Sequence, residues 1–245
     1  MSARGWLRIA IGLAASQVLF ANGRALAATC APPPGAEARL AQIDAAERLR
    51  WIENRLDQEA RRGRLWARGW AIGIGAGGLA SLIAVPFVAP SDRVDWYVGA
   101  ASAAIGVIPL LVSPLAVIHD APKLSAAVAS TPWNDQAQVC ATLLDAEHKL
   151  AADAANEHWQ QGWWMHAGNL AFNTGVLLFL GLGYGHWTAG LINGGAGVVV
   201  GEALILTQPT HLIDELAAYN RGELLLSSQG GTGRGALVFR YLAMF

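Results

Sequence analysis

Glu202 is the residue whose type and place could most directly do chemistry, because it is the one acid well inside a long apolar stretch, directly after Gly197-Val198-Val199-Val200-Gly201. A carboxylate at membrane depth can take up a proton or hold a cation. It lies about five residues from the end of that stretch, so a side chain that snorkels to the interface or stays protonated is the structural alternative. Asn169 and Asn173 stand four apart, one turn of helix, and Asn193 sits in the next apolar run. Amides so placed either touch a substrate or hydrogen-bond between neighbouring helices as packing.

The remaining chemistry-bearing residues support little. His119, His148, His158, His166, His186 and His211 form no His-Glu-x-x-His motif and no pair one helical turn apart, which leaves metal-assisted hydrolysis unsupported. Cys30 and Cys140 are the only thiols, with no Cys-x-x-Cys. In an exported chain an even pair reads as one disulfide, the alternative being two buried free thiols. No Gly-x-Ser-x-Gly elbow or dinucleotide fingerprint occurs, and Gly230-Gly231-Thr232-Gly233 lacks the lysine of a phosphate loop. No catalytic residue, cofactor site or metal site is expected.

These residues must be positioned by elements suited to lipid. Just over half of the residues are apolar (53%), 14% are charged, and mean hydropathy is +0.33, which points to a membrane protein. A net charge of −1 gives no basic field for nucleic acid. Apolar runs of roughly 20 residues, enough to cross a bilayer as helix, occur at 66–89, 94–118, 163–184 and 187–207. Pro90-Ser91-Asp92-Arg93 joins the first two and Gly185-His186 the last two, so each pair is expected to be a tight hairpin. Trp66, Trp70, Trp96, Trp159, Trp163, Trp164 and Trp187 flank the runs as an interfacial belt would. Gly69, Gly73 and Gly77 in the first run, and Gly190, Gly194, Gly197 and Gly201 in the fourth, have the spacing of close helix approach.

Outside the runs, Leu40, Ile43, Ile52 and Leu56 recur at helical spacing, with Asp44/Arg48 and Asp57/Arg61 as opposite charges four apart. An amphipathic helix of about seven turns is expected there, starting just after 31–35 (Ala-Pro-Pro-Pro-Gly). A second, more acidic helix is expected over 135–161. The segment 43–49 resembles 144–150, and each cysteine opens one unit, which suggests a parallel internal repeat of amphipathic helix plus hairpin. From 209 to 225, Leu212, Leu216, Tyr219 and Leu224 can share one helical face. The segment 236–245 is too short to span and is expected to dock on the protein or the bilayer.

The expected organisation is a signal peptide at 1–27, a periplasmic segment at 28–65, a transmembrane hairpin at 66–119, a second periplasmic segment at 120–162, a second hairpin at 163–207 and a periplasmic tail at 208–245. Arg4 and Arg8, the apolar run 9–21 and Ala25-Leu26-Ala27 make the export signal. Orientation carries a conflict: Arg61, Arg62, Arg64 and Arg68 cluster beside the first run, where the positive-inside rule places cytoplasm. The export signal is given precedence. The fold class is therefore an all-α integral protein of a bacterial inner membrane with four spans. Its expected partners are the bilayer and other membrane or periplasmic proteins, including copies of itself, and not nucleic acid. The expected role is assembly or scaffolding without catalysis, with a small transporter or channel near Glu202 as the alternative. Amino-terminal sequencing of the membrane-extracted protein should give a mature chain starting at Ala28; recovery of a chain retaining 1–27 would leave an uncleaved anchor instead.

Overall fold

The computed structural model of the chain describes residues 29–112 and 115–224; the expected signal at 1–27 and the segment 236–245 lie outside the described residues. Among the described residues every regular element is helical. Helix α1 (Ala45–Ala84) starts at Asp44, whose carboxylate accepts hydrogen bonds from the amides of Ala46 (2.9 Å) and Glu47 (3.4 Å), the usual service of an N-cap. It starts about ten residues later than expected, because Leu40–Gln42 forms only a single 3-10 turn. It then runs 40 residues without a break, about 60 Å at the helical rise. One helix therefore serves where an amphipathic helix and a separate span were expected. Gly63 lies at the middle, where a Cβ would stand 3.1 Å from the Leu115 side chain and 3.3 Å from Ile118; the small residue lets a neighbouring segment pack close there.

The second apolar run also divides differently from the expectation. Helix α2 (Arg93–Val112) is followed by a separate helix α3 (Val117–Ser130), so the expected span over 94–118 ends early. Leu115 and Val117 are almost fully buried in protein and not turned to lipid. Val117, Ala121, Leu124 and Val128 form the buried face of α3, at the four- and three-residue spacing of a helix stripe. Helix α4 (Gln136–Gln160) is capped by Asp135, which accepts from the amides of Ala137 (3.0 Å) and Gln138 (3.3 Å). Helices α5 (Trp163–Tyr184) and α6 (Trp187–Leu206) are joined at Gly185, with φ of +77°, where the amides of Gly185 and His186 return to the carbonyls of Gly181 and Leu180. Glycine tolerates that left-handed turn without a steric penalty. Helix α7 (His211–Asn220) closes the described chain.

Four helices are long and apolar enough to cross a membrane, and in each the apolar window is less than one-fifth buried by protein. Ile72, Leu111, Leu182 and Val199 accordingly point outward, a surface suited to lipid and costly in water. The protein core lies elsewhere, in a head built from the first half of α1 with α3, α4 and α7 around Leu49, Ile52, Leu56, Leu124, Leu143, Leu150 and Leu212. At its centre Arg48 is fully buried. Its Nε donates to Tyr219 Oη (2.9 Å), Nη1 donates to the Cys30 carbonyl (3.0 Å), and Nη2 pairs with Glu147, which also accepts from the Tyr219 hydroxyl. The expected Asp44–Arg48 surface pair is thus replaced by an inward pair, whereas Arg61 does pair with Asp57 on the surface. Cys30 and Cys140 lie beside this network at disulfide distance, their Cα atoms 5.5 Å apart.

Removing Glu147 leaves a buried guanidinium uncompensated, a loss of about 3–5 kcal/mol in comparable cases. Glu147→Gln should therefore lower the thermal midpoint of the head, followed by circular dichroism in mild detergent, while the double change Arg48→Met, Glu147→Leu should recover most of the loss. An unshifted midpoint in the single variant would show that the pair is not needed.

Candidate functional site

Of the polar residues singled out in the long apolar runs, Asn169, Asn173 and Glu202 fall along the α5–α6 contact. His166, Asn169 and Asn173 share one face of α5, at threes and fours. Asn169 Nδ2 donates to Glu202 Oε1 (2.9 Å) and to the Val198 carbonyl (3.0 Å), and His166 Nδ1 lies 2.5 Å from Glu202 Oε2. Asn173 Nδ2 donates to the Asn169 carbonyl (2.9 Å) and to Asn169 Oδ1 (2.8 Å). Glu202 is therefore the outer end of a polar row and not an isolated carboxylate. Glycine makes room for the row: a Cβ on Gly201 would fall 2.1 Å from Asn169 Oδ1, and one on Gly197 would fall 1.8 Å from Asn173 Oδ1. Asn193 stands apart from it, donating to the Ala189 carbonyl (3.1 Å) and reaching toward Gly99 of α2.

The two glycine stripes have different environments. Gly190 and Gly194 of α6 meet the backbone of α5, at 2.7 Å from the carbonyls of Leu177 and Asn173 for an added Cβ. A Cβ on Gly69, Gly73 or Gly77 of α1 would meet nothing within 4 Å among the described residues, so these glycines mediate no helix packing there. Gly78, one position round the helix, does that work against Ala103 of α2. Gly73 and Gly77 instead line a cavity of about 600 Å³ between α1, α2, α5 and α6, together with Ser81, Ser102, Asn169, Asn173 and Asn193. Two further links bridge the helix pairs at its ends: Trp66 and Trp70 donate to Thr207 Oγ1 (3.3 and 3.0 Å), and His186 Nδ1 lies 2.7 Å from Asp95 Oδ1.

A second titratable cluster sits in the head, where the sequence showed only helix-surface charge. Glu59, Asp153 and Glu157 are each 1% exposed. Glu59 Oε1 accepts from the His211 amide (3.3 Å) and lies 3.2 Å from His211 Nδ1, and Glu157 Oε2 accepts from the Leu212 amide (3.0 Å). Two carboxylates from α4 and α1 thereby satisfy the free amides at the start of α7, whose N-cap residue Thr210 supplies no side-chain bond. Both Asp153 oxygens and Glu157 Oε1 have no partner among the described residues. Burial first, then repulsion from Glu59, pushes Glu157 up to about 9; burial first, then repulsion from Asp120, pushes Asp153 up to about 7. Glu59 is lowered, because bonds and charge from His211 and Arg62 outweigh its desolvation.

Sequence reasoning missed His166, His186 and His211, each of which stands against a carboxylate. For His166 the signal was present, since it lies three and seven positions before Asn169 and Asn173; the other two pair across distant segments. Among the described residues no group of His, Cys, Asp and Glu is placed to hold a metal ion. No protein-family model, curated protein or solved structure matches this chain.

The head should be least stable at alkaline pH. Asp153 and Glu157 have folded pKa values raised above 3.8 and 4.5, so the folded state binds their protons more tightly, and stability falls as pH climbs from about 4 to about 9. Glu59 acts oppositely but only at acid pH, as its lowered value is crossed. Thermal midpoints measured at pH 5, 7 and 9 should decline by an amount on the order of a few kcal/mol of stability in total, and the double change Asp153→Asn, Glu157→Gln should flatten the slope. A parent protein with no slope would contradict the burial argument.

Proposed function

We propose that this chain is a non-enzymatic, multi-pass protein of a bacterial inner membrane that acts by assembly and binding. In this reading the four long helices form two transmembrane hairpins, each preceded by a helix of the head, and the head, the cysteine pair and the tail face the periplasm. The observation that carries it is the division of labour between the two polar clusters. The carboxylates of the head cap α7 and brace the packing, and none of them lines the intramembrane cavity. The residues that do line it are asparagines, serines and glycines set among apolar side chains, with no carboxylate, histidine or cysteine among them, a wall suited to binding through hydrogen bonds and packing.

The proposed repeat has mixed support. Leu49 and Leu150, and Ala45 and Ala146, correspond at an interval of 101 residues and are all buried in the head. Asp44, however, is a helix cap, whereas its counterpart Asp145 lies inside α4 and pairs with Lys149.

One observation favours a second reading, a small transporter with its pathway between the hairpins. Polar side chains recur along the inter-pair region from His166–Glu202 through Asn169, Asn173 and Asn193 to Asp95–His186 at the connecting-loop end. Such a file is what a proton or small-solute route requires.

Reconstitution separates the two. Under the assembly reading, proteoliposomes carrying a pH-sensitive dye should show no proton flux above protein-free vesicles, and crosslinking in mild detergent should give a discrete complex through the head. Flux that appears with the parent protein and vanishes in Glu202→Gln, with insertion unchanged, would establish the transporter reading.

A further inference from the structure

We propose that the cavity between α1, α2, α5 and α6 is a binding site for an uncharged, hydroxyl-bearing lipid of the monoacylglycerol type. The inference rests on the reading that the four long helices lie in a bilayer. Asn173 is 5% exposed and spends both amide hydrogens on Asn169, while its own Oδ1 accepts nothing among the described residues. Asn193 Oδ1 likewise accepts nothing, and the Ser102 hydroxyl makes no bond at all among them. Each is an acceptor or hydroxyl left without a partner at membrane depth, a costly arrangement in an apolar medium.

The chemistry of the missing partner follows from these atoms. Two amide oxygens ask for donors, and a serine hydroxyl can both give and take, so the ligand must carry O–H or N–H groups. No lysine, arginine or acid lines the cavity. An anionic headgroup would find no counter-charge there and would meet Glu202 at the outer end of the amide row, so phospholipid and free fatty acid fit poorly. Most of the wall is apolar and small: Gly73, Gly77, Ile74, Phe172, Val200 and Leu204. Because nothing stands within 4 Å of a Cβ at Gly73 or Gly77, they leave a trough along α1 in which a methylene chain can lie. A volume of about 600 Å³ is within the range of small-molecule sites. A hydroxylated head on the amides and a single chain in the glycine trough satisfy both halves of the wall.

The same opening supplies a clean test. Gly77→Leu extends a side chain into the trough from a position where a Cβ meets nothing within 4 Å, and Asn193→Leu removes one free acceptor. The protein, purified in mild detergent, is exposed to a photoactivatable monoacylglycerol, with 1-oleoylglycerol, oleate, phosphatidylglycerol or hexadecane as competitors. Alkaline extraction of the source membranes is run first, and a chain that washes out defeats the membrane reading itself. With the chain retained, saturable labelling should map to the cavity walls and be competed best by 1-oleoylglycerol. Labelling affinity should fall about tenfold in either variant, the worth of roughly 1.4 kcal/mol, with the thermal midpoint and the Cys30–Cys140 pairing unchanged. Equal competition by hexadecane or by the anionic lipids, undiminished labelling in Gly77→Leu, or no saturable labelling would each overturn the proposal while leaving the membrane reading intact. If Gly77→Leu fails to fold, Asn193→Leu and the competitor series decide the matter alone.

Discussion

A guanidinium cannot be buried without a counter-charge and without acceptors for its hydrogens, and the head of this protein is organised around meeting that requirement at Arg48. Four separate parts of the chain converge to do so. The Cys30 carbonyl comes from the extended start, Arg48 from α1, Glu147 from α4 and the Tyr219 hydroxyl from α7. Because the pair lies beside Cys30–Cys140 and against the Trp51 ring, which packs 5.6 Å from Tyr219 and donates to the Leu224 carbonyl, one ionic contact fixes the mutual placement of segments that are remote in sequence. The apolar faces of α1, α3, α4 and α7 close around it.

That constraint passes into the long apolar helices through α1. A helix that runs unbroken from the head into the apolar region transmits the position of its first half to its second, so the glycine face at Gly73 and Gly77 is aimed by packing some turns away. The other pair of apolar helices is hung from the head at separate points: α5 follows α4 directly at Gly162, and the end of α6 is tied to Trp66 and Trp70 through Thr207. Between those attachments the two pairs of helices meet only in part, and the cavity is the space that this arrangement leaves.

The two polar clusters obey different physics. In the head, carboxylates are taken out of water and answered by helix amides, a histidine and an arginine, so their protonation is coupled to folding. Between α5 and α6, uncharged amides are laid over glycines that have no side chain to displace them, and the polarity is a matter of hydrogen bonds to be completed. The unpartnered oxygens of Asp153 and Glu157 are sealed inside the head, whereas the cavity between the helix pairs has room for a ligand.

The sequence by itself determined the all-helical character of the described residues, the four helices able to cross a membrane and the pairing of its only two cysteines, since each of these is local or follows from composition and count, whereas the cap at Asp44 emerged only with the structure, the sequence having placed that helix start about ten residues earlier. Hydropathy alone could not tell where α2 ends, because Leu115 and Val117 are as apolar as lipid-facing residues, yet protein buries them. Spacing alone left the partner of the first glycine stripe open: the pattern that allows close approach says nothing of whether a helix of the same chain approaches. Tertiary structure decided the inward turn of Arg48, the carboxylate caps of α7, the three histidine–carboxylate pairs and the cavity itself. Each of these joins residues from well-separated parts of the chain, and such meetings are set by how helices pack in three dimensions, which no local pattern encodes.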